Sequence, residues 1–149
     1  MRTPLYLDDI RVGQRFVTAE VTLDEAAIMA FARAFDPQVF HTDGEAAKHS
    51  FFGGLVASGW HTAALSMKLL VESGPQLAGG TIVAQVELRW PQPTRPGDVL
   101  HVESEVLAVT RSRSRPDRGF ITLKSETMNQ KGEVVQTQTA KLLAWKRPL

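Results

Sequence analysis

The chain has 149 residues, of which 43% are hydrophobic, with 17 basic and 16 acidic side chains, a net charge of +1 and no cysteine. Its length predicts a single domain, residues 1–149, while the lack of cysteine excludes disulfides, thiolate metal sites and a catalytic thiol, and the near-zero charge gives no general attraction to nucleic acid. No apolar run approaches the ~20 residues that span a bilayer, and the first residues do not form a secretory leader, so we expect a soluble protein of the cytoplasm with no membrane partner.

The chain begins with a predicted strand and a predicted helix. A short strand around 15–21 precedes a helix over 22–35, in which Thr22 and Glu25 form the T-x-x-E pattern of a capping box. Helical spacing of apolar residues predicts which face of this helix is buried. The residues of that face are Ala27, Ile28, Phe31, Ala34 and Phe35.

Two further helical segments are predicted before the period of the sequence changes. Asp36-Pro37 should end the first helix, because a residue before proline is pushed out of the α region. A loop with a short helical turn follows over 43–48. The segment 60–72 is mainly apolar with a thin polar edge, which predicts a helix that is buried rather than on the surface.

Beyond residue 81 the hydrophobic period falls to two, which is the period of a β-strand. Four strands are predicted in this half: 82–90, 99–110, 119–129 and 133–145. Because the connections between them are short, we expect antiparallel pairing, with the apolar helix packed on the concave face of the sheet. The fold class predicted from the sequence is therefore α+β.

The densest group of reactive side chains lies between the two main helices, in the segment 35–43. Asp36 and His41 are five residues apart across a proline, so a carboxylate and an imidazole can converge in one loop near several phenylalanines. Burial there should raise the pKa of the carboxyl group and lower the pKa of the imidazole, which suits a general acid–base pair. The structural alternative makes Asp36 a residue of a helix C-terminal turn and His41 a partly buried loop residue.

A second candidate group stands at the start of the apolar helix, where Ser58 and Gly59 precede the first turn. A glycine there lets a ligand approach the backbone, and the free amides of the first turn point toward it. Such amides can form an oxyanion hole for a carbonyl that gains negative charge. The structural alternative makes Ser58 an N-cap and Gly59 a packing residue. His61, inside the same helix, is expected to be a packed polar side chain.

The segment 111–118 is rich in arginine. It contains four arginines and one aspartate: Arg111, Arg113, Arg115, Arg118 and Asp117. The segment could bind the phosphates of a nucleotide-containing substrate or of the prosthetic arm of a carrier protein. The structural alternative is a solvated hairpin tip. The histidines and nearby acids show no recognisable metal-ligand spacing, so no metal is expected.

Three motifs in the correct order resemble a known family. The segment 36–43, D-P-Q-V-F-H-T-D, resembles the D-x-x-x-x-H-x-D signature of the MaoC-like dehydratases, the (R)-specific enoyl-CoA hydratases. Gly59 matches the glycine that opens the central helix of that family, and the segment 89–100 resembles its R-[FW]…P…P-G-D-x-L pattern. The resemblance extends from about Asp8 to Ala144.

The resemblance implies a hot-dog fold, in which a five- to six-stranded antiparallel sheet wraps a long central helix, and it implies a homodimer or higher homo-oligomer. It also implies that Asp36 and His41 are the catalytic pair and that the Gly59 amide, next to Ser58, binds the thioester oxygen. The implied reaction is reversible hydration of a trans-2-enoyl-CoA, or of another acyl-carrier thioester, to the (R)-3-hydroxyacyl thioester, with no cofactor.

Two positions depart from the pattern of the better-known members. Gln38 stands near their asparagine, and Ser58 replaces the histidine before the glycine, which leaves the pair intact and the preferred acyl chain open. We expect the acyl chain in an apolar tunnel along the buried helix. The candidate lining residues are Phe40, Phe52, Trp60 and Met67. Two other functions stay open: a hot-dog acyl-CoA thioesterase, and a non-catalytic acyl-CoA-binding module.

Overall fold

A computed structural model describes residues 2–149 as an antiparallel sheet wrapped around one long helix. The α-helices of this part of the chain are α1 (Glu25–Phe35), α2 (Val39–Thr42), α3 (Gly44–Ala47) and α4 (Gly59–Ser73). The strands are β1 (Arg15–Val17), β2 (Val21–Thr22), β3 (Ile82–Arg89), β4 (Val99–Arg111), β5 (Arg118–Met128) and β6 (Val134–Trp145). They are ordered β1-β4-β5-β6-β3, with β2 also paired to β4. The predicted α+β class and antiparallel pairing are confirmed.

The first helix begins later than the sequence predicts. Thr22 belongs to β2 and pairs with Val99, so it does not form a capping box with Glu25. The N-cap is Asp24, whose carboxylate accepts a hydrogen bond from the Ala27 amide at 2.7 Å. The capping-box prediction is therefore wrong, because strand pairing with β4 takes up the residue that the motif needed.

The buried face of α1 is also displaced from the prediction. Ile28 and Ala32 are fully buried, whereas Ala27, Ala34 and Phe35 are exposed. Residues four apart lie on one side of a helix, and here that side packs onto the cluster built around Leu23 and Leu55. The end of α1 at Phe35, before Asp36-Pro37, is as predicted.

Most of the other elements lie within two residues of their predicted bounds. The helical turn over 43–48 is α3, and the buried helix over 60–72 is α4. There are two exceptions. The predicted strand 15–21 is divided into β1 and β2, and α2 is a single helical turn where the sequence predicted a loop. Within residues 2–149, no helix has the combination of length and apolar character that a bilayer-spanning segment needs.

Helix α4 contacts the sheet in two different ways along its length. Near its C-terminal end, Leu69 and Leu70 form an apolar cluster with Val102 of β4. In its first half the contact is polar, because the Ser66 hydroxyl donates to the Thr62 carbonyl at 2.8 Å and lies 2.6 Å from the Thr127 hydroxyl of β5. The helix therefore presents hydroxyl groups, not an apolar seam, to the part of the sheet beneath its N-terminal half.

Candidate active site

The structure brings Asp36 and His41 together at the junction of α1 and α2. Asp36 is the residue that ends α1, and Pro37 prevents the helix from continuing. The single turn of α2 then directs His41 back toward it, so that His41 Nε2 lies 3.3 Å from Asp36 Oδ2. Both side chains are largely buried, with exposed fractions of 6% for the histidine and 18% for the aspartate.

The backbone fixes the tautomer of His41. Its Nδ1 lies 2.6 Å from the carbonyl oxygen of Val56, and a carbonyl oxygen can only accept a hydrogen bond. Nδ1 therefore carries the proton, and in the neutral ring Nε2 presents a lone pair toward Asp36. The Phe40 ring packs edge-on against the imidazole and holds its plane. The residue is thus arranged as a base with its free nitrogen in the site.

The carboxylate of Asp36 accepts hydrogen bonds at both oxygens. Gln38 Nε2 donates to Oδ1 and the Ser58 hydroxyl donates to Oδ2, each at 2.7 Å. Burial on its own raises the pKa of Asp36, but these two bonds, joined by the charge of His41 when its ring is protonated, outweigh it, so that the pKa lies below the ordinary 3.8. The predicted rise in the pKa of Asp36 is wrong, because the sequence did not show that two donors converge on the carboxylate.

The Ser58 hydroxyl group makes one hydrogen bond to the first turn of α4 and another to Asp36. Its hydroxyl oxygen accepts the Trp60 amide as the N-cap of α4, while its hydroxyl hydrogen goes to Asp36. The Ser58 carbonyl takes the amides of His61 and Thr62. The Gly59 amide is left without an acceptor among residues 2–149. The N-cap alternative is therefore correct, and the same side chain also belongs to the candidate site.

Gly59 is required here by the ring of Trp90. A Cβ at position 59 would lie only 2.7 Å from Cε2 of that indole. Trp90 is fixed in turn, because its Nε1 donates to Oε1 of the buried Gln136 at 3.0 Å. The packing alternative for Gly59 thus also holds. Sequence reasoning missed Gln136, for which the only signal is an amide at an inward-facing position of an alternating strand.

Asp36, His41, Gly59 and Trp90 line a cleft of about 420 Å³. Its buried floor includes Val56, Thr62 and Thr94, and its rim includes the exposed rings of Phe51 and Trp60. Three of the four predicted tunnel residues border this cleft: Phe40, Phe52 and Trp60. Met67 instead borders a separate void of about 10 Å³ further along α4. The predicted tunnel along α4 is therefore wrong, because buried side chains close the cleft after the first turns of the helix.

His61 is the packed residue that the sequence predicts. Its ring stacks on Phe31 of α1, with a centroid separation of 4.5 Å and an interplanar angle of 3°. Burial lowers the pKa of His61, and its Nδ1 has no hydrogen-bond partner within residues 2–149. It does not border the cleft of Asp36 and His41. In the described part of the chain, no group of three or more acids and histidines is placed to hold a metal ion.

The arginine-rich segment lies at the other end of the sheet. Arg118 of β5 pairs with Trp145 of β6, and its guanidinium packs over that indole ring. Gln136, which holds Trp90 at the cleft, is nine residues earlier in β6, a separation of about 30 Å along a strand. Within one chain the arginines therefore do not border the cleft.

The comparisons with known proteins show which family the chain belongs to. The family model of the MaoC like domain matches residues 9–129. A Bacillus subtilis protein, the uncharacterized protein YdeM, is 38% identical over 128 residues, which cover 84% of this chain and 88% of the relative. The crystal structure of a MaoC-like dehydratase from Rhodospirillum rubrum is 61% identical, with a TM-score of 0.95 over 97% of this chain and 99% of that one.

A more distant structure carries a named activity. The (R)-hydratase from A. caviae, described as involved in PHA biosynthesis, is 27% identical, with a TM-score of 0.73 over 93% of this chain and 98% of that one. The fold and the neighbours together define a hot-dog protein of the hydratase and dehydratase class, which confirms the predicted hot-dog fold. The chain belongs to the MaoC-like family. Family and neighbours alike indicate a hydro-lyase.

Proposed function

We propose that the protein catalyses the reversible addition of water to a trans-2-enoyl thioester, giving the (R)-3-hydroxyacyl thioester. One observation carries the proposal: Asp36 Oδ2 and His41 Nε2 face each other at 3.3 Å in a cleft that the Gly59 amide also lines. The (R) configuration and the substrate class are supported by the named activity of the solved neighbour, an (R)-hydratase.

The pair can hold the water that reacts. The carboxylate of Asp36 and the unprotonated Nε2 of His41 are both acceptors, so without a further proton neither can donate to the other. A water molecule beside the pair, within hydrogen-bond distance of both atoms, donates one hydrogen to each, and its oxygen lone pairs are then free to attack C3 of the substrate. This arrangement uses the tautomer that the Val56 carbonyl imposes on His41.

The proposed reaction moves one proton through His41. As the water oxygen bonds to C3, one water proton passes to His41 Nε2, and the electron pair of the C2–C3 double bond moves onto the thioester as an enolate. His41 then returns that proton to C2, and the second water hydrogen stays on the new hydroxyl group. Asp36, whose pKa is lowered, stays ionised throughout and stabilises the imidazolium form of His41.

The enolate oxygen needs its own donor. The Gly59 amide lies at the N-terminus of α4, where the helix dipole is positive, and no acceptor within residues 2–149 takes up its hydrogen. Such a donor stabilises the charge that develops on the thioester oxygen in the transition state. Because the thioester itself delocalises this charge, the proposed reaction needs no cofactor beyond the coenzyme or carrier of its substrate.

The edge strand β3 supports the proposal that two copies form a homodimer. Among residues 2–149, β3 pairs only with β6, so one side of its backbone is left unpaired. Its outer residues Ile82 and Val86 are 40% and 45% exposed. An open apolar edge of this kind is a site for pairing with another strand, and a twofold axis beside β3 pairs the free backbone groups of both copies equally.

Location in the cytoplasm stays a prediction from the sequence.

Incubation of the protein with crotonyl-CoA tests the proposed function. We expect the conjugated enoyl absorbance to fall, the product to be 3-hydroxybutyryl-CoA, and its configuration to be (R). A thiol-reactive dye added in parallel detects free CoA, which a thioesterase would release. Thermal stabilisation by crotonyl-CoA with neither reaction would instead indicate a binding module. Either of these last two results contradicts the proposal.

A further inference from the structure

We propose that Thr94 selects the substrate: the acyl group is short and carries a neutral oxygen at its far end, which accepts a hydrogen bond from the Thr94 hydroxyl. This inference rests on the enoyl-thioester activity proposed above and specifies its substrate class. The substrate that we propose is a short-chain 2-enoyl thioester with a hydroxyl or keto substituent.

The floor of the cleft contains a hydroxyl group that lacks an acceptor. Thr62 of α4 and Thr94 of the β3–β4 connection are each 2% exposed, and both line the cleft. Thr62 Oγ1 donates to Thr94 Oγ1 at 3.1 Å, which uses the hydrogen of Thr62. The two hydroxyl groups carry two hydrogens and share one hydrogen bond, so with Thr62 as the donor the hydrogen of Thr94 is the one left for a ligand. A buried donor without a partner is unfavourable, and an acceptor on a ligand in the cleft would satisfy it.

The surroundings hold this hydroxyl in place. The Thr94 carbonyl accepts the Ala57 amide at 2.8 Å, which ties the segment to the strand of backbone that leads into α4. Thr62, the partner of this hydroxyl group, is held in place because it belongs to the first turn of α4. The donor is therefore fixed relative to the Gly59 amide and the catalytic pair, as a specificity contact requires.

The closed end of the cleft limits the length of the acyl group. The residues of α4 that line the cleft are Gly59, Trp60 and Thr62, so the cleft borders only the first turn of this helix. The next void along the helix, beside Met67 and Leu70, holds only about 10 Å³ and is not continuous with the cleft. A long alkyl chain therefore has no continuous channel along α4, whereas a short chain fits in the cleft beside the two hydroxyl groups.

The charge of the site favours a neutral oxygen over a carboxylate. No lysine or arginine is among the residues that line the cleft in the described chain. Asp36 lines the same cleft, and the donors around it keep its pKa low, so the site already holds a negative charge. A second buried carboxylate would be unpaired and repelled, whereas a hydroxyl or keto oxygen carries no such cost.

Two isosteric substrate pairs test this proposal with the full-length protein. The first pair is trans-4-hydroxybut-2-enoyl-CoA and trans-pent-2-enoyl-CoA, and the second is trans-5-hydroxypent-2-enoyl-CoA and trans-hex-2-enoyl-CoA, so that a methyl group replaces each hydroxyl. We expect kcat/KM to be about 10- to 100-fold higher for the hydroxylated member at one of the two lengths. Thr94→Val should abolish this preference, whereas Thr94→Ser, which keeps the hydroxyl group, should retain it.

The outcomes separate this inference from the proposed function. Hydration of the alkyl members with less than a threefold preference for hydroxyl at either length overturns the inference and leaves the hydratase assignment standing. An equal loss on all substrates in Thr94→Val also overturns it, because that result makes Thr94 part of the general machinery. Hydration of none of the four substrates contradicts the proposed function and the inference together. Thr139→Val, at a partly buried position on β6 outside the cleft, is the matched control and should change neither ratio.

Discussion

The Ser58 hydroxyl donates to Asp36 Oδ2 at 2.7 Å while its oxygen caps the first turn of α4. One side chain therefore links the start of the central helix to the carboxylate at the end of α1. Since the Gly59 amide is adjacent to Ser58, the same link sets the position of the proposed oxyanion donor relative to the proposed water-binding pair. The coupling between helix capping and site geometry makes Ser58 the first residue to test.

Replacement of Ser58 with alanine should reduce both stability and activity. Ser58→Ala removes an N-cap and a hydrogen bond to a buried carboxylate, so we expect the free energy of unfolding to fall by about 1–3 kcal/mol in urea titrations. Ser114→Ala, at an exposed position of the β4–β5 hairpin, is the control and should change this energy by less than about 0.5 kcal/mol. Equal stability of the two variants would contradict the double role of Ser58.

The pKa of Asp36 should lie below 3.8 in the folded protein and rise in Ser58→Ala. The physical reason is the loss of one of the hydrogen bonds that favour the charged form. A titration of the Asp36 carboxyl carbon by NMR measures both values. Because the folded-state pKa is depressed, Asp36 stabilises the fold above the unfolded-state pKa, near ~3.9, and this contribution is lost as the pH falls through the lower folded-state value. A pKa above 3.8 in the wild-type protein would contradict the described network.

The direction of the pKa shift of Asp36 could not be predicted from the sequence. Spacing across Pro37 showed that Asp36 and His41 can converge but left the structural alternative open, and the structure brings them to 3.3 Å. The two donors on Asp36 are Ser58, the N-cap of α4, and Gln38, which is two residues away in the chain. A donor 22 residues away in the chain is set by tertiary packing, which a single sequence does not show.

The contact between Gly59 and Trp90 predicts a specific pattern of rescue. Gly59→Ala places a methyl group against the indole, so we expect a loss of about 1–3 kcal/mol in unfolding free energy and at least a tenfold loss in kcat. Trp90→Leu in the same chain should recover part of the stability, because the smaller side chain makes room for the methyl group. Urea titrations of the two single variants and the double variant form the cycle. Strictly additive losses would show that the clash is not the cause.

The edge strand predicts a self-associating protein. Val86→Lys places a charge on the exposed strand β3, so we expect the molecular mass measured by light scattering to fall from that of a dimer to that of one chain. Val71→Lys on α4 is the matched control, since the two valines are 45% and 49% exposed, and it should leave the mass unchanged. A wild-type protein of one-chain mass, or equal effects of the two changes, would contradict pairing through β3.

The fold itself was largely predictable from the sequence. The period-two segments gave β4, β5 and β6 to within two residues, because long antiparallel strands with one buried face impose that pattern locally. The errors arise where a contact with a distant segment of the chain determines the local structure. Thr22 pairs with β4 instead of capping α1, and Met67 borders a separate small void that residues of β3, β5 and β6 surround. Neither feature can be predicted from the spacing of residues in the sequence.

The central claim is that Asp36 and His41 act as one unit on a water molecule. The most direct measurement is kcat/KM with crotonyl-CoA for Asp36→Asn, His41→Ala and the double variant, each first shown by circular dichroism to be folded. We predict that each single change lowers kcat/KM by at least about 100-fold, and that the double variant is less than about tenfold worse than either, because removing one member already disables the pair. Normal activity in either single variant, or a double variant whose loss equals the product of the single losses, would contradict the account.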